Sequence, residues 1–220
     1  MTNSSTIAGQ VFESLLQDLK SNRFKPGERL KFEEMRDRYD VSIASLREAL
    51  SRLAGLGLVT QIGQKGFRAP EVSLEDFEHV VASRKFLEKR ALESSIARGD
   101  DQWENELVAM FHQLQKATRV RPKTELEHSA WERHHTNFHR ALIAACGSPW
   151  LLNAWRSAFD QAERYRHIAM KRGHWKIDQK NDHERLLKAA LGRNIPLALR
   201  ILDSHIGHSA DMLSDLIHAR

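Results

Sequence analysis

The chain has few of the features that mark secreted or membrane proteins. Its 220 residues include one cysteine, Cys146, so no internal disulfide can form. No apolar run approaches the roughly 18 residues that a membrane helix needs. The segment from Met1 to Gln10 is too polar to supply the core of a signal peptide. These absences predict a cytoplasmic protein with no membrane partner.

Strand patterns are also scarce. Two short runs read as strands, Leu58–Ile62 and Phe67–Ala69, and residues 63–66 form a tight turn between them. Beyond residue 70 no convincing strand appears. About six helices are expected there instead, near 74–98, 102–118, 125–146, 149–171, 175–191 and 195–218. The pattern predicts a mainly α protein of two domains, residues 1–70 and 71–220.

The first domain has the order of a winged helix-turn-helix. Helices are expected at 7–20, 31–39 and 42–56, and the β-hairpin follows them. The segment holds 11 Lys and Arg against 8 Asp and Glu, a mild excess that is compatible with binding to phosphate. Pro70-Glu71-Val72 reads as the linker to an all-α helical bundle.

The helix over 42–56 is the candidate recognition helix. If Leu46, Leu50 and Leu53 face the core, its first turns expose small hydroxyl residues and one guanidinium. The candidate DNA-binding residues are Ser42, Ser45 and Arg47 on this helix, with Lys65 and Gly66 at the hairpin tip. The same pattern also fits an ordinary three-helix subdomain with solvated cations.

Histidines are numerous, with 12 in the chain, and four of them suggest a metal site. His135 and His139 are four residues apart, so a helix places both imidazoles on one face. His183 and His205 lie in later helices and can complete the set. Four imidazoles favour a divalent transition metal, Zn²⁺ first, with Ni²⁺ or Co²⁺ as alternatives. A histidine pair at this spacing is nevertheless more often unliganded.

Several spaced motifs of the first domain resemble the N-terminal domain of GntR-family regulators. They are Arg23–Leu30, Val41-Ser42, Leu46–Leu50 with Leu53, Gly57–Val59, and Gly66. The resemblance implies a homodimer on a double-stranded operator with inverted half-sites. The family usually has an arginine after Val-Ser, whereas this chain has Ile43. Arg36 on the second helix is a candidate to compensate for that lost DNA contact.

The second domain resembles the FCD effector-binding domain of the FadR-type subgroup. The matching segments are Arg84–Glu88, Phe138–Leu142, Cys146–Ser148, Asp182–Leu187 with Ala190, and His205. Metal-binding members use one aspartate and three histidines. The three histidines match His139, His183 and His205, and the aspartate position falls on His135.

The resemblance also implies an effector. An ion held by neutral imidazoles keeps its charge and attracts an anion, so a small carboxylate is expected. Arg84 is expected to face the same cavity and to pair with that carboxylate. Arg164 and Arg166 are further candidates, although both are equally compatible with solvated helix faces.

Three functions remain open on the sequence. The first is a ligand-responsive regulator, a repressor released by a carboxylate effector at the metal. The second is a regulator that senses the metal itself. The third is a metalloenzyme, which is disfavoured by the N-terminal domain and by the lack of a His-Glu-x-x-His motif. The tryptophans are expected in the core or in a cavity wall, at Trp103, Trp131, Trp150, Trp155 and Trp175.

Overall fold

The computed structural model describes residues 7–63, 66–119, 122–171 and 181–218, with side chains described as far as residue 208. The first domain begins with α1 (Ile7–Lys20), β1 (Arg29–Leu30), α2 (Phe32–Tyr39) and α3 (Ile43–Gly55). A hairpin of β2 (Thr60–Gln61) and β3 (Phe67–Arg68) follows. The second domain contains α4 (Leu74–Arg98), α5 (Asp101–Thr118), α6 (Glu125–Ile143), α7 (Pro149–Lys171), α8 (Asp182–Leu191) and α9 (Ile195–His218). A winged helix-turn-helix joined to an all-α bundle is confirmed.

The sheet has one strand more than the sequence predicted. The order is β1-β3-β2, with both pairs antiparallel. Leu30 pairs with Phe67, and Gln61 pairs with Phe67 on its other side. A strand of two residues is too short to show the alternation that identifies strands in a sequence, which is why β1 was not predicted.

Side-chain caps set the starts of the long helices. Ser73 accepts a hydrogen bond from the Asp76 amide at 3.0 Å and begins α4. Thr124 and Glu127 form a reciprocal capping box at the start of α6. The helix predicted to run to residue 146 ends at Ile143 and continues as a 3₁₀ turn. The helix predicted from 175 begins at Asp182, because Asn181 has a φ of +50°; residues 175–180 lie outside the described residues.

Each domain has its own apolar core. In the first, α1 packs on α3 through residues such as Leu15, Leu46 and Leu50, all fully buried. In the second, Trp155, Phe138 and Phe159 are fully buried among α4, α6, α7, α8 and α9.

The prediction that the tryptophans are buried is confirmed at three positions and wrong at one. Trp103, Trp131 and Trp155 are buried, whereas Trp150 is 85% exposed at the start of α7. Trp175 lies outside the described residues. In the part of the chain that the structure describes, no helix has the length and apolar character needed to cross a membrane.

Candidate metal, effector and DNA-binding sites

Three helices of the second domain bring the four predicted histidines together. His135 and His139 come from α6, His183 from α8 and His205 from α9. One ring nitrogen of each lies within 4.8 Å of the others. The first three side chains are buried and His205 is half-buried. The donors therefore converge on a volume that one transition-metal ion can occupy.

A carboxylate that the sequence did not single out orients His139. Glu88 Oε1, on α4, lies 2.5 Å from His139 Nδ1. A proton on Nδ1 satisfies this contact and leaves the Nε2 lone pair available. Nε2 is buried and has no hydrogen-bond partner among the described residues. Metal-binding histidines usually have this arrangement, in which a carboxylate fixes the tautomer and orients the ring.

Burial keeps His135 and His139 neutral. Desolvation lowers the pKa of His139 to about 3, although Glu88 opposes the shift. Desolvation, with the charge of His139 next, lowers the pKa of His135 well below its ordinary value. Burial alone would raise the pKa of Glu88, but Arg84 and His139 hold it below its ordinary value. A neutral imidazole and an ionised carboxylate are the forms that metal binding requires.

Two arginines lie beside the cluster and are incompletely satisfied. Arg84 Nε donates to Glu88 at 2.9 Å, and Arg166 donates to both oxygens of Glu132 at 3.0 and 2.9 Å. Both guanidinium groups lie over Phe159, whose ring centroid is 5.4 Å from that of His139. Arg84 Nη2 and Arg166 Nη1 are buried without a hydrogen-bond partner among the described residues. Two donors are thus available for an anion near the histidines.

Arg164 is not brought to the cluster. Its guanidinium donates to the Glu71 carbonyl at 2.6 Å and to Gln161 at 3.2 Å. The side chain therefore fastens the linker to α7. Of the two arginines considered in this stretch of sequence, Arg166 is the one that lies near the histidines.

A cavity of about 410 Å³ lies between α5 and α8. His183 is part of its wall, together with Phe111, Leu114, Thr118 and Glu184. The cavity therefore borders one member of the histidine cluster.

The candidate DNA-binding residues of α2 and α3 are accessible to solvent. Ser42 caps α3 by accepting from the Ser45 amide at 3.1 Å, and the two hydroxyl oxygens are 3.0 Å apart. Arg47 is exposed, with its guanidinium 5.0 Å from the Phe32 ring centroid. Arg36 is exposed on α2 and pairs with Asp37 at 2.9 Å.

Further positions considered for DNA binding lie in the wing and at the start of α3. Gly66 has a φ of +135°, so any residue with a side chain would strain the backbone there, although space for a Cβ is open. Ile43, where the resemblance expected an arginine, is 38% exposed. Lys65 lies outside the described residues.

Family comparisons match nearly the whole chain. Residues 7–68 match the bacterial regulatory proteins of the gntR family, and residues 79–208 match the FCD domain. The "HTH-type transcriptional repressor GlaR" of Escherichia coli (strain K12) is 33% identical over 196 residues, covering 87% of this chain and 89% of GlaR. The "Uncharacterized HTH-type transcriptional regulator BphR" of Paraburkholderia xenovorans (strain LB400) is 32% identical over 215 residues, covering 97% and 87%.

Solved structures agree on the fold. The structure titled "E. coli McbR/YncC" superimposes with a TM-score of 0.80 at 20% identity, covering 96% of this chain and 98% of that one. A putative transcriptional regulator GntR from Rhodococcus sp. RHA1 superimposes with a TM-score of 0.75 at 18% identity, covering 94% and 96%. At such low identity, the likeness supports the domain architecture alone.

Proposed function

The chain belongs to the gntR family of bacterial regulatory proteins, and we propose that it is a repressor controlled by a small carboxylate at a metal ion in its FCD domain. That it is a DNA-binding transcription regulator with an FCD effector-binding domain, and not an enzyme, follows from the family and its relatives. The metal, the effector and the direction of regulation are the proposal. We also propose that it acts in the cytoplasm.

The convergence of four histidines carries the metal assignment. His135, His139, His183 and His205 would hold the ion, with Glu88 orienting His139. A set of nitrogen donors favours Zn²⁺, Ni²⁺ or Co²⁺ over Mg²⁺ or Ca²⁺. The ion would supply positive charge and a coordination position at which an effector's oxygen can bind.

Charge balance supports a carboxylate effector, and a dicarboxylate above all. The expectation that the ion's charge meets only neutral groups needs revision, because the carboxylates of Glu88, Glu132 and Asp182 lie beside the histidines. Arg84, Arg166 and Arg185 pair with these three carboxylates, so a divalent ion still leaves an excess of two positive charges. An anion relieves the cost of burying that excess. The free guanidinium nitrogens of Arg84 and Arg166 suit a second carboxylate.

The DNA-binding form is proposed to be a homodimer on inverted half-sites. Arg47 would bond a guanine edge or a phosphate, and Ser42 and Ser45 let the helix approach the groove closely. Arg36 and the wing at Lys65-Gly66 would contact the backbone. Arg47→Ala should weaken operator binding by about 1–3 kcal/mol if it reads a base, or reduce the salt slope by about one if it holds a phosphate. Unchanged affinity and salt dependence in a gel shift would remove Arg47 from the interface.

Elemental analysis tests the metal site. Protein purified without a nickel column is expected to contain near-stoichiometric transition metal, and His139→Ala to lose most of it. His112→Ala, a histidine of α5 outside the cluster, is the control and should keep the metal. Folded wild-type protein that binds no added zinc would refute the assignment.

Calorimetry tests the effector. Succinate and glutarate are titrated into zinc-loaded wild type, Arg84→Gln and Arg166→Gln, with glutaramide as the uncharged control. Arg164→Gln is the control variant, because Arg164 lies at the linker. We expect binding in wild type and Arg164→Gln, and weaker binding in the other two variants. Tighter binding of the diamide than of the acids would overturn the carboxylate assignment.

A gel shift separates the effector regulator from the metal sensor. If the effector is the signal, zinc-loaded protein binds its operator and releases it on addition of the acid. If the metal is the signal, zinc alone changes DNA affinity and the acid adds nothing.

A further inference from the structure

One buried cation joins the two domains. Lys20, the last residue of α1, is 4% exposed. Its Nζ lies 3.1 Å from Asp160 Oδ1 and 2.8 Å from Glu163 Oε2, both on α7 of the FCD domain. Within the described part of the first domain, Lys20 is the one buried charged side chain. A buried ammonium is costly unless it is paired, so its burial is favourable only while α1 rests on α7.

The acidic partners depend on Lys20 in return. Glu163 is 3% exposed and lies near the Glu132 carboxylate. Burial, with the charge of Glu132 next, raises the pKa of Glu163 to about 7, while Lys20 and Arg166 oppose the rise. Asp160 has a second cation, because Arg156 Nε donates to it at 2.8 Å. Loss of Lys20 would therefore affect Glu163 more than Asp160.

Glu132 connects this ion group to the histidine cluster. It lies on α6 one turn before His135, and its Oε2 is 3.8 Å from His135 Nδ1. Arg166 holds both of its oxygens. Lys20 contacts Glu163, Glu163 interacts electrostatically with Arg166 and Glu132, and Glu132 contacts His135. Little water screens such a series, so a change of charge at one end is felt at the other.

Among the described residues, the other hydrogen bonds between the two domains are uncharged or exposed. Gln161 donates to the Gly57 carbonyl at 2.6 Å and Ser157 to the Leu56 carbonyl at 2.8 Å. Lys171 donates to the Ser21 carbonyl at 2.6 Å, but its side chain is 41% exposed. These contacts hold the domains together without any connection to the histidine cluster.

We propose that Lys20 is the positioning residue through which the charge of Glu132, beside the histidine cluster, affects how the DNA-binding domain docks. Because α1 packs directly on α3, movement of α1 carries the recognition helix with it. The inference rests on the proposed effector function for its biological use, but the coupling itself does not require a metal or an effector.

A double-mutant cycle tests the coupling. Glu132→Gln removes one charge beside the cluster while keeping an acceptor for Arg166, and Lys20→Met removes the ammonium while keeping a similar side-chain length. Hydrogen exchange of residues 7–20 is measured in the wild type, both single variants and the double variant. We expect Glu132→Gln to change protection of α1 by about fivefold when Lys20 is present and by less than about twofold when it is absent. An equal change in both backgrounds would overturn the proposal.

Two further measurements separate the proposal from a merely structural role and from the metal assignment. Lys171→Met removes an interdomain cation outside the series, so the effect of Glu132→Gln should persist in it; loss of the effect there as well would overturn the role of Lys20. The cycle is carried out on chelator-treated protein and is afterwards repeated on zinc-loaded protein. Failure to bind zinc would refute the metal site alone, because the cycle is carried out without metal.

Discussion

The interiors of the two domains differ in polarity. Residues 1–70 contain no histidine and no tryptophan, and all 12 histidines and five tryptophans lie in the rest of the chain. The described core of the DNA-binding domain is apolar apart from Lys20, whereas the FCD domain buries arginines, carboxylates and imidazoles near its centre. Buried polar groups lower stability unless they are satisfied. The comparison indicates that the DNA-binding domain is stabilised by apolar packing, whereas the stability of the FCD domain also depends on how its buried charged and polar groups are paired.

Acid should distinguish the domains most strongly. Burial lowers the pKa of His139 and of His167 to about 3, so the folded FCD domain resists protonation that the unfolded chain accepts below pH 6.5. The unfolded state then binds more protons, and the free energy of unfolding falls as pH drops from 6.5 toward 3. A loss of several kcal/mol is expected for metal-free protein, while the histidine-free domain changes little by this route. Tryptophan fluorescence reports the FCD domain alone, and circular dichroism reports both. Equal acid sensitivity in the two signals would contradict the comparison.

Glu88→Ala should have the next largest effect. It removes the buried partner of Arg84 and His139, and breaking a buried ion pair costs about 3–5 kcal/mol. Urea unfolding followed by tryptophan fluorescence measures the loss. Glu93→Ala, which removes an exposed pair with Arg90 on the same helix, should cost less than about 1 kcal/mol. Similar losses in both variants would show that the Glu88 pair contributes little.

Zinc should stabilise the FCD domain alone. At free zinc one hundred times the dissociation constant, the expected gain is about 2.7 kcal/mol. The tryptophan-detected transition should shift to higher urea and return on chelation. His139→Ala should abolish the shift, whereas His112→Ala should keep it. A shift of the same size in His139→Ala would place the ion elsewhere.

Loss of a helix cap should have the smallest effect on the free energy of unfolding, and the effect should be of similar size in the two domains. Ser42→Ala and Ser73→Ala remove equivalent caps, with oxygen-to-amide distances of 3.1 and 3.0 Å. Each should cost about 1 kcal/mol. The loss should appear in fluorescence for Ser73→Ala only. A fluorescence-detected loss in Ser42→Ala would show that the domains unfold as one unit.

Most of the fold could be predicted because its signals are local. Apolar spacing and caps identified the long helices, and the four-residue spacing of His135 and His139 identified half of the cluster. His183 and His205 joined the candidate set through their helices and the family resemblance, since no local spacing links them to His135.

The parts that could not be predicted depend on contacts between distant residues. No local sequence signal places Glu88 beside His139 or Glu132 beside Arg166; the packing of α4 and α7 against α6 does so. Likewise, no local signal shows that Lys20 is buried, and its contact with α7 does so. Trp150 shows the converse, since an aromatic residue at a helix start was expected inside and lies outside.

The ion group of Lys20, Asp160 and Glu163 limits how freely either domain can be exchanged for that of another protein. A chimera that places residues 1–70 on another sensing domain would bury an ammonium against a surface without Asp160 and Glu163. The reverse chimera would leave those carboxylates facing a foreign helix. A functional chimera would therefore need to keep the cation and its two carboxylates together, so a domain swap that is cut at the linker alone is not sufficient.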